Sequence, residues 1–312
     1  MFNYILKRIL YLLVIMFIIS ILTFSLSRLV PGDPAEVILR SSGVEPTQEA
    51  VESMRENLGL NQPVVWQYID WLGGILQWDF GRSFTTGRPV IQEIWYRFPA
   101  TLELALAGVV VMFCLSFPAG IISAVFKNTY LDHLGRFLAL VGASFPSYWL
   151  GLLLIYFFGV QNSLLPVMGR GTGRHLILPA FTLGLGMAAV YARLLRANLL
   201  EVLNQDYIRT ARAKGLSEKA VVLKHALKNA LLPVITAFGV NFGYLLGGTV
   251  IIETIFNWPG LGKFVVEAIF NRDYPVLQAY VLFMALVFVT INTLVDIIYG
   301  VLDPRIASER RN

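Results

Sequence analysis

One cysteine stands in 312 residues, Cys114, and it lies inside an apolar run. That excludes a disulfide framework and a cysteine-based metal site. Charge is scarce too: 14% of residues are charged, where soluble domains average about 25%. The three histidines, His133, His175 and His225, are far apart in sequence. No Gly-x-x-x-x-Gly-Lys-Ser/Thr phosphate loop occurs. The nearest approach, Gly260-Leu261-Gly262-Lys263-Phe264, lacks the upstream glycine spacing and the hydroxyl for magnesium. His-Glu-x-x-His and Gly-x-Ser-x-Gly are absent as well. The sequence therefore predicts a chain that is no enzyme by itself, binds no ATP and holds no metal.

What is abundant is apolar: 56% of residues are hydrophobic and the mean hydropathy is +0.64. Uncharged stretches cover Ile9–Ser27, Leu104–Phe126, Phe137–Gly169, His175–Ala192, Asn229–Ile252 and Tyr274–Val295. Each reaches the roughly 18 residues of a candidate membrane helix. The third is too long for one span. Its helix is expected to end near Val160, because Pro166, Gly169, Gly171 and Gly173 punctuate the residues beyond that point. The expectation is an all-α, multi-pass protein with six transmembrane helices. The first span reads as an uncleaved helix, since its apolar run is long and no Ala-x-Ala site comes after it.

Basic residues mark cytoplasmic segments. Lys7 and Arg8 stand at the start, and Arg305, Arg310 and Arg311 in the tail. The fourth-to-fifth connection carries Arg193, Arg196, Arg209, Arg212, Lys214, Lys219, Lys224 and Lys228. These agree if both termini and that connection are cytoplasmic, which makes residues 31–99 external. The expected organisation is an N-terminal helix in 1–30, the external loop 31–99, and a five-helix core in 100–312 with a cytoplasmic loop at about 193–228. In the external loop Val51, Met54 and Leu58 share a helical face that Gly59 can cap. Trp66, Tyr68, Trp71, Trp78 and Phe80 fit either the membrane interface or an external partner.

Prolines 118, 146 and 179 fall in or near spans and free backbone carbonyls there. Ser116, Ser144, Ser147, Asn241, Thr249, Thr290 and Asn292 are polar within spans. They bond helix to helix or line a path; Ser144, Ser147, Asn241, Thr249 and Asn292 are the path candidates. Glu103 and Asp296 lie near span ends and read as structural. Gly239, Gly243 and Gly247 recur every four residues, so one face of the fifth span admits another helix closely, from this chain or another subunit.

The polar stretch "QDYIRTARAKGLSEKAVVLKHALKNALLP" interrupts this apolar chain. Asp206–Lys214 reads as a helical arm, Gly215 as a turn, and Ser217–Leu232 as an amphipathic helix with Leu216, Ala220, Leu223, Leu227 and Leu231 along one line. It suits anionic headgroups or a cytoplasmic partner. Here Arg209-Thr210-Ala211, Gly215 and Leu232-Pro233 resemble the signature loop of binding-protein-dependent ABC importer permeases, with its Glu and first Ala replaced. "LVPGDPAE", "LGLNQPVVWQYIDWLGGILQWDFGRSF", "YARLLRANLLEVLNQDYIRTARAKGL" and "GGTVIIETIFNWPGLGKFVVEAIFNRDYPV" extend the resemblance to the dipeptide, oligopeptide and nickel branch over nearly the whole chain. "PATLELA" and "AIFNRDYPV" look most like the first permease subunit of nickel importers.

The resemblance implies a type I ABC importer permease fold in the bacterial cytoplasmic membrane. It implies a second homologous permease, two ATP-binding subunits carrying ATP and Mg, and an extracytoplasmic solute-binding protein, besides membrane lipid and without nucleic acid. Asp206, Tyr207, Arg209, Ala211, Lys214, Gly215 and Leu216 would form the coupling element. Nickel as a chelate is the expected cargo, because one histidine near the external mouth, His175, cannot hold a bare ion. A dipeptide or oligopeptide is the alternative. A stand-alone channel or secondary transporter would lack the coupling loop.

Overall fold

The computed structural model describes residues 2–29, 33–41, 43 and 45–302. Among them every regular element is a helix, apart from one isolated antiparallel bridge between Arg82 and Pro89. The basic tail and the middle of "LVPGDPAE" lie outside the described residues, as does the side chain of Asp296. Two compact units form, residues 1–99 with 263–294, and residues 100–262 with the chain from 295.

In the first unit α1 (Phe2–Leu29) leads into α2 (Pro34–Ser41), α3 (Gln48–Asn57) and α4 (Val64–Leu76). Asp33, just before α2, is tied to α3 by accepting from Arg55 at 2.6 Å, and that hydrogen bond holds the guanidinium above its ordinary pKa. The α3 boundary agrees with the sequence: Thr47 caps the start and Gly59 (φ +64) ends it. Of the loop aromatics, Tyr68 and Trp71 pack on Phe24 with ring centroids 5.4 and 5.5 Å apart. Trp66 and Trp78 stay exposed. Further on, Asp273 accepts from the Ser83 hydroxyl at 2.6 Å and the Thr85 N–H at 3.1 Å, pinning the loop before α5 (Val90–Val125) to the turn before α13 (Tyr274–Leu302). Arg97 pairs with Glu93 and lies over the Phe264 ring of α12 (Leu261–Phe270).

The second unit is organised around α8 (Gly173–Leu203), which packs against α6 (Tyr130–Ser144), α7 (Ser147–Leu154) and α11 (Leu227–Ile255). Small residues let α5 and α8 touch backbone to backbone. A Cβ at Gly184 would sit 2.6 Å from the Gly108 carbonyl oxygen, and one at Gly120 2.9 Å from that of Ala192. The sequence pattern gave no sign of this seam.

Two expectations need correction. The third span is not one helix from Phe137 to Val160. It begins at Tyr130, breaks at Pro146, and the two arms are bent by 100°. Proline disfavours helical geometry in the residue before it, and Phe145 is accordingly extended (φ −82, ψ 129). The second arm ends in a π-helical stretch, Ile155–Gln161. Among the described residues, counting the bent pair as one span gives six helices apolar and long enough to cross a membrane; otherwise there are five. The second correction concerns Ser217–Leu232, which is not an independent amphipathic helix. The helical run starts at Glu218, widens into a π turn at Val221–Ala226 and passes without interruption through Pro233 to Ile255.

Candidate functional site

The polar interruption is compact. α8 stops at Leu203, Gln205 is extended, and Asp206–Ala213 forms α9, with Asp206 in its first turn and Arg212 in its last. Both charges suit the helix dipole. On the inner face Ile208 and Ala211, three residues apart, are 0% and 8% exposed. They join one apolar cluster with Leu195 and Leu199 of α8 and with Val221, Val222 and Ala226. Burying an Ile side chain removes roughly 1.5–3 kcal/mol worth of apolar surface from water, enough to seat a two-turn helix that could not persist alone.

The end of α9 is fixed by backbone chemistry. The N–H of Gly215 donates to Arg212 O at 2.9 Å and that of Leu216 to Ala211 O at 3.4 Å, the paired bonds of a Schellman turn. Gly215 has φ +79 and nothing within 4 Å of a Cβ built there, so the conformation alone demands glycine. Across the turn Arg212 holds Glu218 through two hydrogen bonds of 2.7 and 3.3 Å. Asn229 donates to the Tyr207 hydroxyl at 2.7 Å. Asp206, Tyr207, Arg209, Lys214 and Leu216 all face outward, so the structure gathers the seven sequence-selected residues into one short element with Ala211 turned in and Gly215 at its corner. Arg209 and Asp206 are more than two-thirds exposed and pair with each other at 3.5 Å.

Sequence reading missed the anchor. Ile208 is the apolar residue three positions before Ala211 in a charged stretch, and that spacing was the available signal. Beyond the turn the expected stripe holds only in part: Leu227 and Leu231 pack against the cluster. Val221, Val222, Ala226, Ala230 and Val234 are buried, whereas Leu216 and Leu223 are exposed. The π turn, with its i→i+5 bonding, shifts which residues face inward.

The other candidates are dispersed. Gly239 abuts Val295, where any Cβ would collide, while Gly247 has nothing nearby and Gly243 is partly buried. Ser144, Asn241, Thr249 and Asn292 each donate to a carbonyl three or four residues back on their own helix, at 2.7–2.9 Å. Thr249 is buried; Ser144, Ser147 and Asn241 are exposed. No hydrogen bond joins any two of Ser144, Ser147, Asn241 and Thr249. His175 is occupied at the start of α8, where its Nδ1 accepts from the Thr172 N–H at 3.0 Å. Among the described residues no cluster of three His, Cys, Asp or Glu side chains could hold a metal. Glu103 pairs with Arg170 at 2.7 Å.

Two buried polar clasps were not foreseen. Glu253 is wholly buried and accepts from Thr101 at 2.8 Å; Thr101 in turn accepts the Leu261 N–H at 2.8 Å, and Gly260 leaves no room for a Cβ beside that carboxylate. Asp132, near the start of α6, accepts from Arg196 at 2.7 and 2.8 Å and from Ser123 at 2.6 Å.

Comparison with known proteins bears on this arrangement. Residues 116–308 match the family described as binding-protein-dependent transport system inner membrane component, and residues 1–105 match the N-terminal part of such membrane components. The glutathione transport system permease protein GsiC of Escherichia coli (strain K12) is 45% identical over 306 residues, 98% of this chain and 99% of that protein. GsiC of Shigella dysenteriae serotype 1 (strain Sd197) matches to the same extent. Among solved structures, the inward-facing MetNI methionine ABC transporter superposes with a TM-score of 0.58 at 20% identity, covering 69% of this chain and 96% of that one. An amino acid ABC transporter with histidines gives 0.53 at 14%, covering 67% and 93%. At such identities the likeness speaks to fold, the type I ABC importer permease fold.

Proposed function

The chain belongs to the family of binding-protein-dependent transport system inner membrane components, and from that premise we propose that it imports short peptides, driven through α9 by ATP-binding subunits. It is a permease subunit of an ABC importer, set in the bacterial inner membrane. The observation that carries the role of α9 is its two-faced build. One face is sunk into the same apolar cluster as α8 and the start of α11, and the other presents Asp206, Tyr207, Arg209, Lys214 and Leu216. A groove on an ATP-binding subunit would hold that outer face. Closure of two such subunits on ATP and Mg would displace α9, and the rigid seat would pass the displacement to the membrane helices as a body. A second homologous permease and an extracytoplasmic solute-binding protein complete the assembly. Hydrolysis belongs to the ATP-binding subunits. Both termini and α9 are then cytoplasmic and residues 31–99 external. Ser144, Ser147 and Asn241 stay candidates for the path, and the Gly243 face for the permease seam.

For cargo, the relatives are named for glutathione rather than nickel, so the peptide reading replaces the nickel expectation. Glutathione, a tripeptide, falls in that class. The use of His175 as a helix cap supports the change, since it was the sole imidazole expected near the external mouth. The test is the complete transporter in vesicles, offered labelled glutathione, a labelled dipeptide, and nickel with and without histidine. ATP-dependent uptake of either peptide supports the reading; uptake confined to nickel overturns it.

A further inference from the structure

A shallow, solvent-open cleft lies where α5, α6 and α8 meet. Its floor is small and apolar, with Ala139 and Ala192, and its rim carries Arg136, Arg193 and Arg196 beside Ser123. Asp132 is the carboxylate bonded to this rim, and it is fully subscribed: besides Arg196 and Ser123 it accepts the Asn128 N–H at 2.9 Å. Arg136 reaches it only at 3.5 Å and also meets His133 at 2.7 Å. Arg193 is exposed and makes no hydrogen bond or ion pair among the described residues. Three guanidiniums thus face one saturated carboxylate, a surplus of two positive charges.

The surroundings say which anion fits. Phe137, Leu138 and Leu140 on α6, one arm of the bent apolar pair, and Val190 on α8, a helix long enough to cross the membrane, are exposed apolar side chains. Tyr130, also exposed, opens α6 as an interfacial aromatic would. A ligand here needs an anionic oxygen cluster for the guanidinium forks and an apolar body for the flanks. We propose that this cleft binds the headgroup phosphate of an anionic phospholipid, with Arg193 and Arg136 on the phosphate and the acyl chains along Phe137 and Leu140. Basic pockets between transmembrane helices serve this chemistry. Arg196 acts as a positioning residue, because Asp132 holds its guanidinium.

The experiment compares the full transporter in phosphatidylglycerol and phosphatidylcholine nanodiscs, reading lipid retention by native mass spectrometry and Tm by thermal melting. Arg193→Gln leaves every partner of Asp132 in place, so it should fold. The expected result is one phosphatidylglycerol retained per copy of this chain and a higher Tm in phosphatidylglycerol. Retention should weaken about five-fold in Arg193→Gln, and further in Arg136→Gln/Arg193→Gln, at about 1 kcal/mol per basic residue. Equal retention and equal Tm difference in wild type and Arg193→Gln would overturn the proposal. So would glycerol phosphate in solution displacing the lipid effect at millimolar concentration, which would mark a soluble-anion site. Loss of the ATP-binding subunits from Arg193→Gln with lipid retention unchanged would overturn it in favour of a protein contact.

Discussion

Two polar excursions leave the apolar body of this chain, residues 33–89 and residues 204–217, and a short helix in each ends in the same turn. Gly59 donates to Glu56 O and Leu60 to Arg55 O after α3, just as Gly215 and Leu216 donate to Arg212 O and Ala211 O after α9. Beyond that turn they diverge. α3 has no buried residue and is held at its edges, by Thr47, Asp33 and Asn61. α9 is shorter, yet it drives Ile208 to 0% exposure in a cluster shared with two long helices. A segment held at its edges yields locally when pushed, whereas one held through its middle moves with what it is plugged into.

The sharpest way to break that contrast is at the plug. Ile208→Asp places a carboxylate where there is no water, at a cost of several kcal/mol, and uptake should fall to background while the protein still inserts. Ile208→Ala should cost about 2–5 kcal/mol. Met54→Ala in α3 should change the melting free energy by under about 1 kcal/mol and leave uptake within two-fold. Melting of the purified complex and vesicle uptake read both.

A smaller effect separates the two glycines. Gly215→Val and Gly59→Val each force a β-branched residue to positive φ, costing about 1–2 kcal/mol or more. The stability losses should be alike, but ATP-driven uptake should collapse only for Gly215→Val, and Gly215→Asn should retain most of it because Asn tolerates this region. Normal uptake by a well-inserted Gly215→Val would remove the coupling role from α9. The smallest effect lies in the ion pairs. Arg212–Glu218 is partly exposed, so a double-mutant cycle through Arg212→Gln and Glu218→Gln should give about 0–1 kcal/mol.

The sequence made the large features legible because they rest on composition. Long uncharged runs located the spans, and a glycine after a charged helix located both turns. The rest depended on contacts that leave little local trace. Asp132 and Arg196 are 64 positions apart and Thr101 and Glu253 are 152 apart, so nothing near either residue announces its partner. The π turn at 221–226 breaks the 3.6-residue period on which the leucine stripe was drawn, so Leu223 points outward while Val221, Val222 and Ala226 are buried. The bend at Pro146 was hidden because an apolar run reads the same straight or folded. At the candidate site Asp206, Arg209 and Lys214 are exposed, as charged side chains in a helical arm should be, while Ile208 looked ordinary among them.

That bend also sets the parity of the chain. Each arm is 15 residues, Tyr130–Ser144 and Ser147–Gln161, or about 22 Å of helix at 1.5 Å per residue, short of the roughly 30 Å hydrocarbon layer. Neither arm crosses alone; only the two in series, stepping sideways at Pro146, make a complete passage. If they do, the crossings are even in number and α9 emerges on the side where the chain began. If the pair instead dips in and returns, the count is odd and α9 emerges on the side opposite the chain's start. Thiol labelling from outside, with Cys114 replaced and single cysteines at Lys127 and Ser163, distinguishes the two: an even count exposes Ser163 and shields Lys127. The sidedness of the whole importer thus turns on one proline-directed corner.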